Sequence, residues 1–171
     1  MEQKLEAYRR KRNFLKTSEP SGKEEKPVGV TKRKIFAVQL HYARTTHFDF
    51  RLEWDGVLLS WAVPKGPSFN PKDKRLAVRV EEHPLDYADF EGVIPKGEYG
   101  GGTVLLWDKG YWTETEDFAR GLEKGSLKLR LDGKRLKGGW ALVRLNDKDK
   151  AEDEKENWLL FKEKDLSLIH I

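Results

Sequence analysis

Short runs of alternating apolar and polar residues fill the chain from residue 35 to residue 163. Successive side chains of a strand point to opposite faces, so this period of two predicts strands that are buried on one side. The Asp-Gly, Lys-Gly and Gly-Gly pairs between runs favour antiparallel hairpins. Eight strands in one compact unit predict a mainly β fold, either a barrel or a sandwich. The eight runs are residues 35–42, 47–54, 57–63, 75–82, 102–112, 126–133, 139–145 and 157–163.

The segments outside these runs predict short helices and a strap. Residues 2–16 have helical character with a weak apolar stripe, and residues 115–125 predict a short helix that ends near a glycine. Residues 17–30 contain Pro, Gly and Ser, which break the helical pattern and predict a linker or a loosely packed strap.

Positive charge is concentrated at the N-terminus. Residues 1–34 hold 11 Lys/Arg and 5 Asp/Glu, a balance of +6, whereas the remaining 22 basic and 24 acidic residues give −2. Two interpretations stay open, a solvated and partly disordered tail or an arm that attracts a polyanion such as nucleic acid. We expect a single globular unit of 171 residues, with a basic arm over residues 1–34 and a β domain over residues 35–171.

The composition limits the chemistry and the location. The chain has no cysteine, so disulfides and thiolate metal sites are excluded and any metal must be bound by nitrogen and oxygen. No apolar run approaches the ~20 residues that a membrane span needs. The N-terminal segment lacks the apolar core of a signal peptide, so we expect a cytoplasmic protein without membrane contact.

One predicted strand carries a candidate site. In an extended strand His47, Asp49 and Arg51 project from one face, and His41 has the same parity. Two imidazoles and a carboxylate suit a divalent metal with open coordination positions. Arg51 continues this face, and an arginine beside a metal is an arrangement that can hold a phosphate. His83, a third histidine, lies on a later strand and could converge on the same place.

Further polar residues lie in the loops and strands that follow. Lys65 stands in a Pro-Lys-Gly-Pro loop, where it is either a surface charge or a restrained cation, and Arg75 ends a run of basic residues that is otherwise typical of a solvated rim. Tyr87 could add a hydroxyl to the site or simply cap the fold. The glycine-rich residues 95–104 lack the context of a P-loop and predict a hairpin turn.

Several unusual blocks of residues resemble a known family, the 3′-phosphoesterase domain of bacterial DNA ligase D. The blocks read HYARTTHFDFRLEWDGVLLSWAVPKGPS, KRLAVRVEEHPLDYADFEGVIPKGEYGGGTVLLWDKGYW and NWLLFKEKD. The resemblance implies a compact eight-stranded β-barrel and a free-standing version of this end-healing domain. It also implies a manganese-dependent enzyme that removes a 3′-phosphate, or a terminal 3′-ribonucleotide, from DNA ends. Separate ligase, polymerase and end-binding repair proteins would then be its partners.

The resemblance assigns roles residue by residue. It implies that His41, His47 and Asp49 bind the metal and that Arg51, Lys65 and Arg75 bind the scissile phosphate. It implies that His83 acts as general acid and that Tyr87 orients substrate, so that His83, Tyr87 and Arg51 form the catalytic set. Helpers in the substrate groove would be Arg12, Asn13, Glu19 and Gln39.

The chain departs from the family's usual pattern in two places, and one of them, the ARTT stretch between His41 and His47, should not alter the ligands. Asn13 stands where the family usually has aspartate, which removes a negative charge and predicts weaker removal of a ribonucleotide. Two other function classes stay open. A DNA-end-binding module without catalysis would tolerate loss of the metal, and a cupin-like enzyme could use the same ligands on a small molecule.

Overall fold

The computed structural model describes residues 3–22, 33–146 and 155–165. Nine antiparallel strands form one sheet in the order β1-β2-β3-β4-β9-β8-β7-β6-β5, and β1 also pairs with β6. That last pairing closes eight strands into a barrel and leaves β5 outside it. The strands are β1 (Lys34–Tyr42), β2 (Thr46–Trp54), β3 (Val57–Val63), β4 (Arg75–His83), β5 (Gly92–Ile94), β6 (Gly102–Glu114), β7 (Ser126–Gly133), β8 (Lys137–Arg144) and β9 (Asn157–Lys162).

The predicted β-barrel is therefore confirmed, and each of the eight apolar runs forms one of its strands. The sequence pattern missed β5, since three residues are too few to show an alternation. The predicted glycine-rich turn connects β5 to β6, which pair antiparallel. Within the described ranges no helix is both long enough and apolar enough to cross a bilayer.

The barrel interior holds the larger of two hydrophobic clusters. Its bulky members include Trp61, Trp140, Trp158, Phe36 and Phe50, all with 0% exposure. Burying an apolar side chain of this size stabilises the fold by ~1.5–3 kcal/mol, so the interior is the main source of stability. A smaller cluster lies on the opposite face of β1, where Tyr8 and Tyr87 pack with Ala37, Phe90 and Val104.

The helix predicted over residues 115–125 is present as α2 (Phe118–Lys124). The Asp117 side chain accepts a hydrogen bond from the Arg120 amide at its start. Gly125 ends the helix at φ 82°, a left-handed conformation that a glycine adopts without strain.

The N-terminal helix is shorter than the pattern predicts. A 3-10 turn (Gln3–Leu5) leads into α1 (Glu6–Arg10), and the chain then leaves the helical path. The Asn13 side chain accepts a hydrogen bond from the Leu15 amide at 3.0 Å, and this local bond competes with helix continuation.

Residues 3–22 are packed against the barrel, which excludes the solvated-tail interpretation for this part of the arm. Tyr8 is fully buried, and its hydroxyl donates to the Pro20 carbonyl. Arg9 donates to the carbonyls of Ser21 and Gly22 at 3.1 and 3.2 Å. The basic residues of the arm between 23 and 32 lie outside the described residues, and the boundary at residue 34 stays a prediction.

A short 3-10 helix (Leu85–Asp89) follows β4 and covers the smaller cluster. Together with residues 3–22 it forms a layer over the outer face of β1, β3 and β4. The candidate site lies between this layer and the barrel, so the fold buries its polar side chains without placing them in the core.

Candidate active site

The hairpin of β1 and β2 brings together the three predicted metal ligands. His41 lies directly opposite His47 across the hairpin, and Gln39 lies opposite Asp49. One ligand atom from each of His41, His47 and Asp49 lies within 4.8 Å of the others. The odd-numbered face predicted from the alternation therefore exists, and the antiparallel register adds His41 to it.

The hydrogen bonds of the two imidazoles assign their tautomers. His47 Nδ1 lies 2.9 Å from the Thr45 carbonyl oxygen, and His41 Nε2 lies 2.6 Å from the Gly100 carbonyl oxygen. A carbonyl only accepts, so both nitrogens carry a proton. Backbone carbonyls commonly orient metal-binding imidazoles in this way.

The other two ring nitrogens face the same carboxylate. His47 Nε2 is 3.2 Å from Asp49 Oδ1, and His41 Nδ1 is 3.6 Å from Asp49 Oδ2. In neutral imidazoles these nitrogens present lone pairs to an anion, so a proton or a metal cation between them stabilises the arrangement. The donor set of two nitrogens and a carboxylate therefore fits a divalent metal.

The electrostatics of the cluster favour a carboxylate at Asp49. Burial opposes its ionisation, but the charge of Arg51 and the interactions with His41 and His47 outweigh burial and hold the pKa of Asp49 well below its usual range. Burial also opposes protonation of His47, yet the hydrogen bond and charge of Asp49 raise the pKa of His47. A metal bound at this cluster would compete with a proton for these ligands, so its affinity would increase with pH.

Arg51 links the cluster to the rest of the site. Its guanidinium is buried and donates to Gln39 Oε1 at 2.7 Å and to Ser60 Oγ at 2.8 Å. The remaining amino group lies 3.6 Å from Asp49 Oδ2, and the guanidinium carbon lies 4.8 Å from the Tyr87 ring centroid. Three polar contacts in different directions hold the charge in one place beside the candidate ligands.

Gln39 fixes both the arginine and the covering layer. While its oxygen accepts from Arg51, its amide nitrogen donates to the carbonyls of Tyr87 and Phe90 at 2.8 and 2.9 Å. All of these polar atoms are thus satisfied in a buried position. The predicted helper residue is therefore a structural link between the barrel and the layer over it.

A second buried arginine comes from the N-terminal segment. Arg12 Nε donates to Glu19 Oε2 at 2.9 Å, and Tyr87 donates its hydroxyl to the same oxygen at 2.6 Å. Arg12 also lies 3.4 Å from Glu81 Oε1, and its guanidinium carbon is 4.0 Å from the Tyr8 ring centroid. Arg12, Glu19 and Tyr87 therefore converge from separate parts of the sequence.

His83 lies between the two arginines and is neutral. Burial lowers its pKa most, and the charges of Arg51 and Arg12 lower it further, to well below the ordinary value. Its Nδ1 lies 2.9 Å from the Glu81 carbonyl oxygen and therefore carries the proton. Its Nε2 is an acceptor 3.4 Å from Arg12 Nη2. A resting general acid would carry a proton on this nitrogen.

Sequence reasoning missed several contributors, among them Tyr8, Ser60, Glu81 and the Gly100 carbonyl. Tyr8 packs its ring 4.9 Å from His83, and Ser60 accepts from Arg51. The signal for Ser60 was available, since a serine inside an otherwise apolar strand requires a polar partner. A backbone carbonyl has no sequence signal at all.

Three predicted residues lie outside this cluster. Lys65 is exposed in the turn after β3, and no ion pair to it occurs among the described residues. Arg75 lies on the face of β4 that also carries the core residue Ala77, opposite to the face that continues from Asp49. Asn13 is exposed and bonds its own turn. Their roles stay predictions.

Comparison with known proteins places this geometry in a family. A family model described as the DNA ligase D 3′-phosphoesterase domain matches residues 39–144, which include both histidines of the cluster and Asp49. The chain belongs to the DNA ligase D 3′-phosphoesterase domain family. The resemblance stated from the sequence is thereby confirmed.

Curated relatives show how much of a longer protein this chain represents. It is 53% identical to the multifunctional non-homologous end joining protein LigD of Pseudomonas aeruginosa over 161 residues, which are 94% of this chain and 19% of that protein. It is 46% identical to LigD of Mycobacterium tuberculosis over 84% of this chain and 18% of that protein. For Mycolicibacterium smegmatis LigD the identity is 41%, over 95% of this chain and 21% of that protein. The chain thus spans about a fifth of each relative.

Proposed function

We propose that this chain is a metal-dependent phosphoesterase that removes a 3′-phosphate from DNA ends and leaves a 3′-hydroxyl for repair by non-homologous end joining. The observation that carries the proposal is the buried Arg51 beside the cluster of His41, His47 and Asp49, with Asp49 Oδ2 3.6 Å from Arg51 Nη2. A cation site and a fixed guanidinium on one face form a binding place for a phosphate.

His41, His47 and Asp49 would bind the metal, and manganese is the metal we propose. A divalent cation held there would withdraw charge from a phosphate oxygen and lower the pKa of a bound water. The orienting carbonyls of Thr45 and Gly100 would keep the ligand nitrogens aimed at it.

The charges around the site support a phosphate as its ligand. Three basic side chains, Lys11, Arg12 and Arg51, are paired with three acidic ones, Asp49, Glu19 and Glu81, and His83 is neutral. The charges of these seven side chains therefore sum to zero. A bound divalent cation adds two positive charges, which a phosphate dianion balances.

Arg12 and Arg51 have separate tasks in this proposal. Each is fixed by buried acceptors, so neither must reorganise when phosphate binds. Arg51 neutralises charge on the side of the metal ligands, and Arg12 does so on the side of His83. Glu19 and Gln39 are positioning residues, since they touch the arginines and Tyr87 rather than the phosphate.

His83 becomes the proton donor after the substrate has bound. Its low pKa results from burial and two neighbouring cations, and a phosphate dianion between those cations raises it. His83 Nε2 then holds a proton that it can deliver to the 3′ oxygen. Acid catalysis of this kind contributes typically ~10²–10⁴-fold. The net reaction consumes one water, breaks the bond from phosphorus to the 3′ oxygen, and protonates that oxygen.

The same residues could release a terminal 3′-ribonucleotide, because a phosphodiester presents the same phosphorus and leaving oxygen. Separate ligase, polymerase and end-binding proteins as partners, and a cytoplasmic location, stay predictions. No observation favours the small-molecule enzyme, and two buried arginines beside a metal set speak against it. The DNA-binding module without catalysis is the alternative that the experiment must exclude.

A product assay on metal-stripped protein tests the proposal. Primer–templates labelled at the 5′ end would carry either a 3′-phosphate or one 3′-ribonucleotide, and manganese, magnesium, zinc or iron would be added in turn. We expect conversion to a 3′-hydroxyl end with manganese. We expect Asp49→Asn to abolish it, whereas Asp132→Asn, which changes an exposed carboxylate on β7, leaves it intact. Retained DNA binding without conversion by any metal would favour the non-catalytic module.

A further inference from the structure

Tyr99 is an exposed aromatic residue at the edge of the candidate site. It lies in the turn between β5 and β6 and is 41% exposed. The carbonyl oxygen of the next residue, Gly100, accepts a hydrogen bond from His41 Nε2 at 2.6 Å. The ring is therefore attached to a backbone segment that contacts a candidate metal ligand.

Two cations from the N-terminal segment flank this ring. Lys11 Nζ lies 4.9 Å and the Arg12 guanidinium carbon 5.2 Å from the Tyr99 ring centroid. The same Arg12 guanidinium lies 3.4 Å from His83 Nε2. One guanidinium thus separates Tyr99 from the place where we expect the phosphate.

The surroundings of Tyr99 differ from those of the buried tyrosines. Tyr8 and Tyr87 donate their hydroxyls to buried acceptors, whereas the Tyr99 ring is open to solvent on part of its surface. Lys11 already has an anion, since it pairs with Glu81 Oε2 at 3.1 Å. An exposed ring beside cations is the composition of sites on which unpaired nucleobases stack.

We propose that Tyr99, with Lys11 beside it, is a stacking subsite for the nucleobase of the 3′-terminal nucleotide. The proposal rests on the proposed function and assigns a ligand to the Tyr99 ring, which the phosphate chemistry does not use. With the 3′-phosphate at Arg12 and Arg51, the terminal nucleoside extends away from the buried layer toward solvent. Tyr99 is the exposed ring that touches Arg12. Every base has a π-face, so the subsite tolerates all four bases.

Comparing a substrate that has the terminal base with one that lacks it isolates the contact between the base and Tyr99. Single-stranded oligonucleotides would end in either a normal or an abasic 3′-phosphorylated nucleotide, and kcat/KM would be measured for wild type and Tyr99→Leu. We expect Tyr99→Leu to lose roughly 5- to 150-fold on the normal end, the range of one stacked base, and to match wild type on the abasic end. Tyr99→Phe keeps the ring and should keep the rate.

Tyr111→Leu is the matched control. Tyr111 is 38% exposed, and the Arg33 guanidinium carbon lies 4.0 Å from its ring centroid, but it stands opposite Ile35 at the far end of the β1–β6 pair. Tyr111→Leu should leave kcat/KM unchanged on both substrates. Equal losses on both substrates in Tyr99→Leu would show that the residue only holds the turn and His41, and would overturn the proposal. An unchanged rate on the normal end would overturn it as well.

A binding measurement separates this inference from the proposed function. Metal-stripped protein would be titrated into an oligonucleotide with 2-aminopurine at its 3′-phosphorylated end. Stacking on Tyr99 predicts quenching with wild type and Tyr99→Phe and much weaker quenching with Tyr99→Leu at saturation. If wild type quenches but releases no phosphate with any metal, the proposed function fails while the subsite stands. Equal quenching in all three proteins would refute the subsite.

Discussion

Removing the charge of Glu19 without changing its shape tests whether the buried network is electrostatic. The Glu19 side chain has no exposed surface. One of its oxygens accepts from Arg12 and Tyr87 at 2.9 and 2.6 Å, and the other accepts from the Thr17 hydroxyl at 2.9 Å. In Glu19→Gln the amide oxygen can serve Arg12 and Tyr87 while the amide nitrogen donates to the rotated Thr17 hydroxyl. Only the negative charge is lost.

The expected cost follows from the hydrogen bonds. Bonds that involve a charged group contribute about 1.5–3 kcal/mol and neutral ones about 0.5–1.5 kcal/mol, so Glu19→Gln should lower the free energy of unfolding by about 1–2 kcal/mol. Arg12 keeps Glu81 at 3.4 Å and is not left without an anion. Glu19→Ala removes every acceptor at once, and breaking a buried pair in this way costs about 3–5 kcal/mol.

Urea unfolding followed by tryptophan fluorescence measures these differences at constant m-value. Glu116→Gln is the control, because Glu116 forms an exposed pair with Lys128 at 3.8 Å and such pairs contribute about 0–1 kcal/mol. The expected order of stability is wild type and Glu116→Gln, then Glu19→Gln, then Glu19→Ala. A Glu19→Gln protein as stable as wild type would refute an electrostatic role for this carboxylate.

Three further predictions concern His83, Ser60 and Asn13. Burial, Arg51 and Arg12 lower the pKa of His83 below the ordinary 6.5, so the unfolded chain binds this proton more readily and stability falls as pH drops below about 6.5. The difference in unfolding free energy between wild type and His83→Gln should show this fall with pH. A difference that does not change with pH would contradict a neutral His83. Ser60→Ala leaves a buried Arg51 donor unpaired and should cost about 1–3 kcal/mol in urea unfolding, while no change would mean that another acceptor replaces the hydroxyl. Asn13→Asp keeps the acceptor for the Leu15 amide and adds a negative charge, so product gels should show more ribonucleotide removal relative to phosphate removal. An unchanged ratio of the two products would show that this charge has no role in ribonucleotide removal.

The strands and the metal cluster could be predicted because both depend on local order. A period of two is visible within eight or nine residues, and it places His47, Asp49 and Arg51 on one face without tertiary information. The register of a short hairpin then brings His41 opposite His47. The same logic explains why β5 was missed, since three residues carry no period.

The network of Arg12, Glu19 and Tyr87 depends on long-range packing. Glu19 and Tyr87 are 68 residues apart in the chain, and their hydrogen bond exists only because residues 3–22 fold over the barrel. The family resemblance supplied Arg12 and Glu19, but the alternation of residues could not. It also could not reveal that the face shared by Arg75 and Ala77 is opposite to the face that continues from Asp49, because that requires the registers of β2 with β3 and of β3 with β4.

Anomalous diffraction from crystals soaked with manganese is the most direct test of the metal centre. The hydrogen bonds to the Thr45 and Gly100 carbonyls leave one nitrogen of each histidine available. We therefore predict one peak bound by His41 Nδ1, His47 Nε2 and the Asp49 carboxylate. A peak bound by His41 Nε2, or manganese found only away from these three residues, would contradict the account of the site.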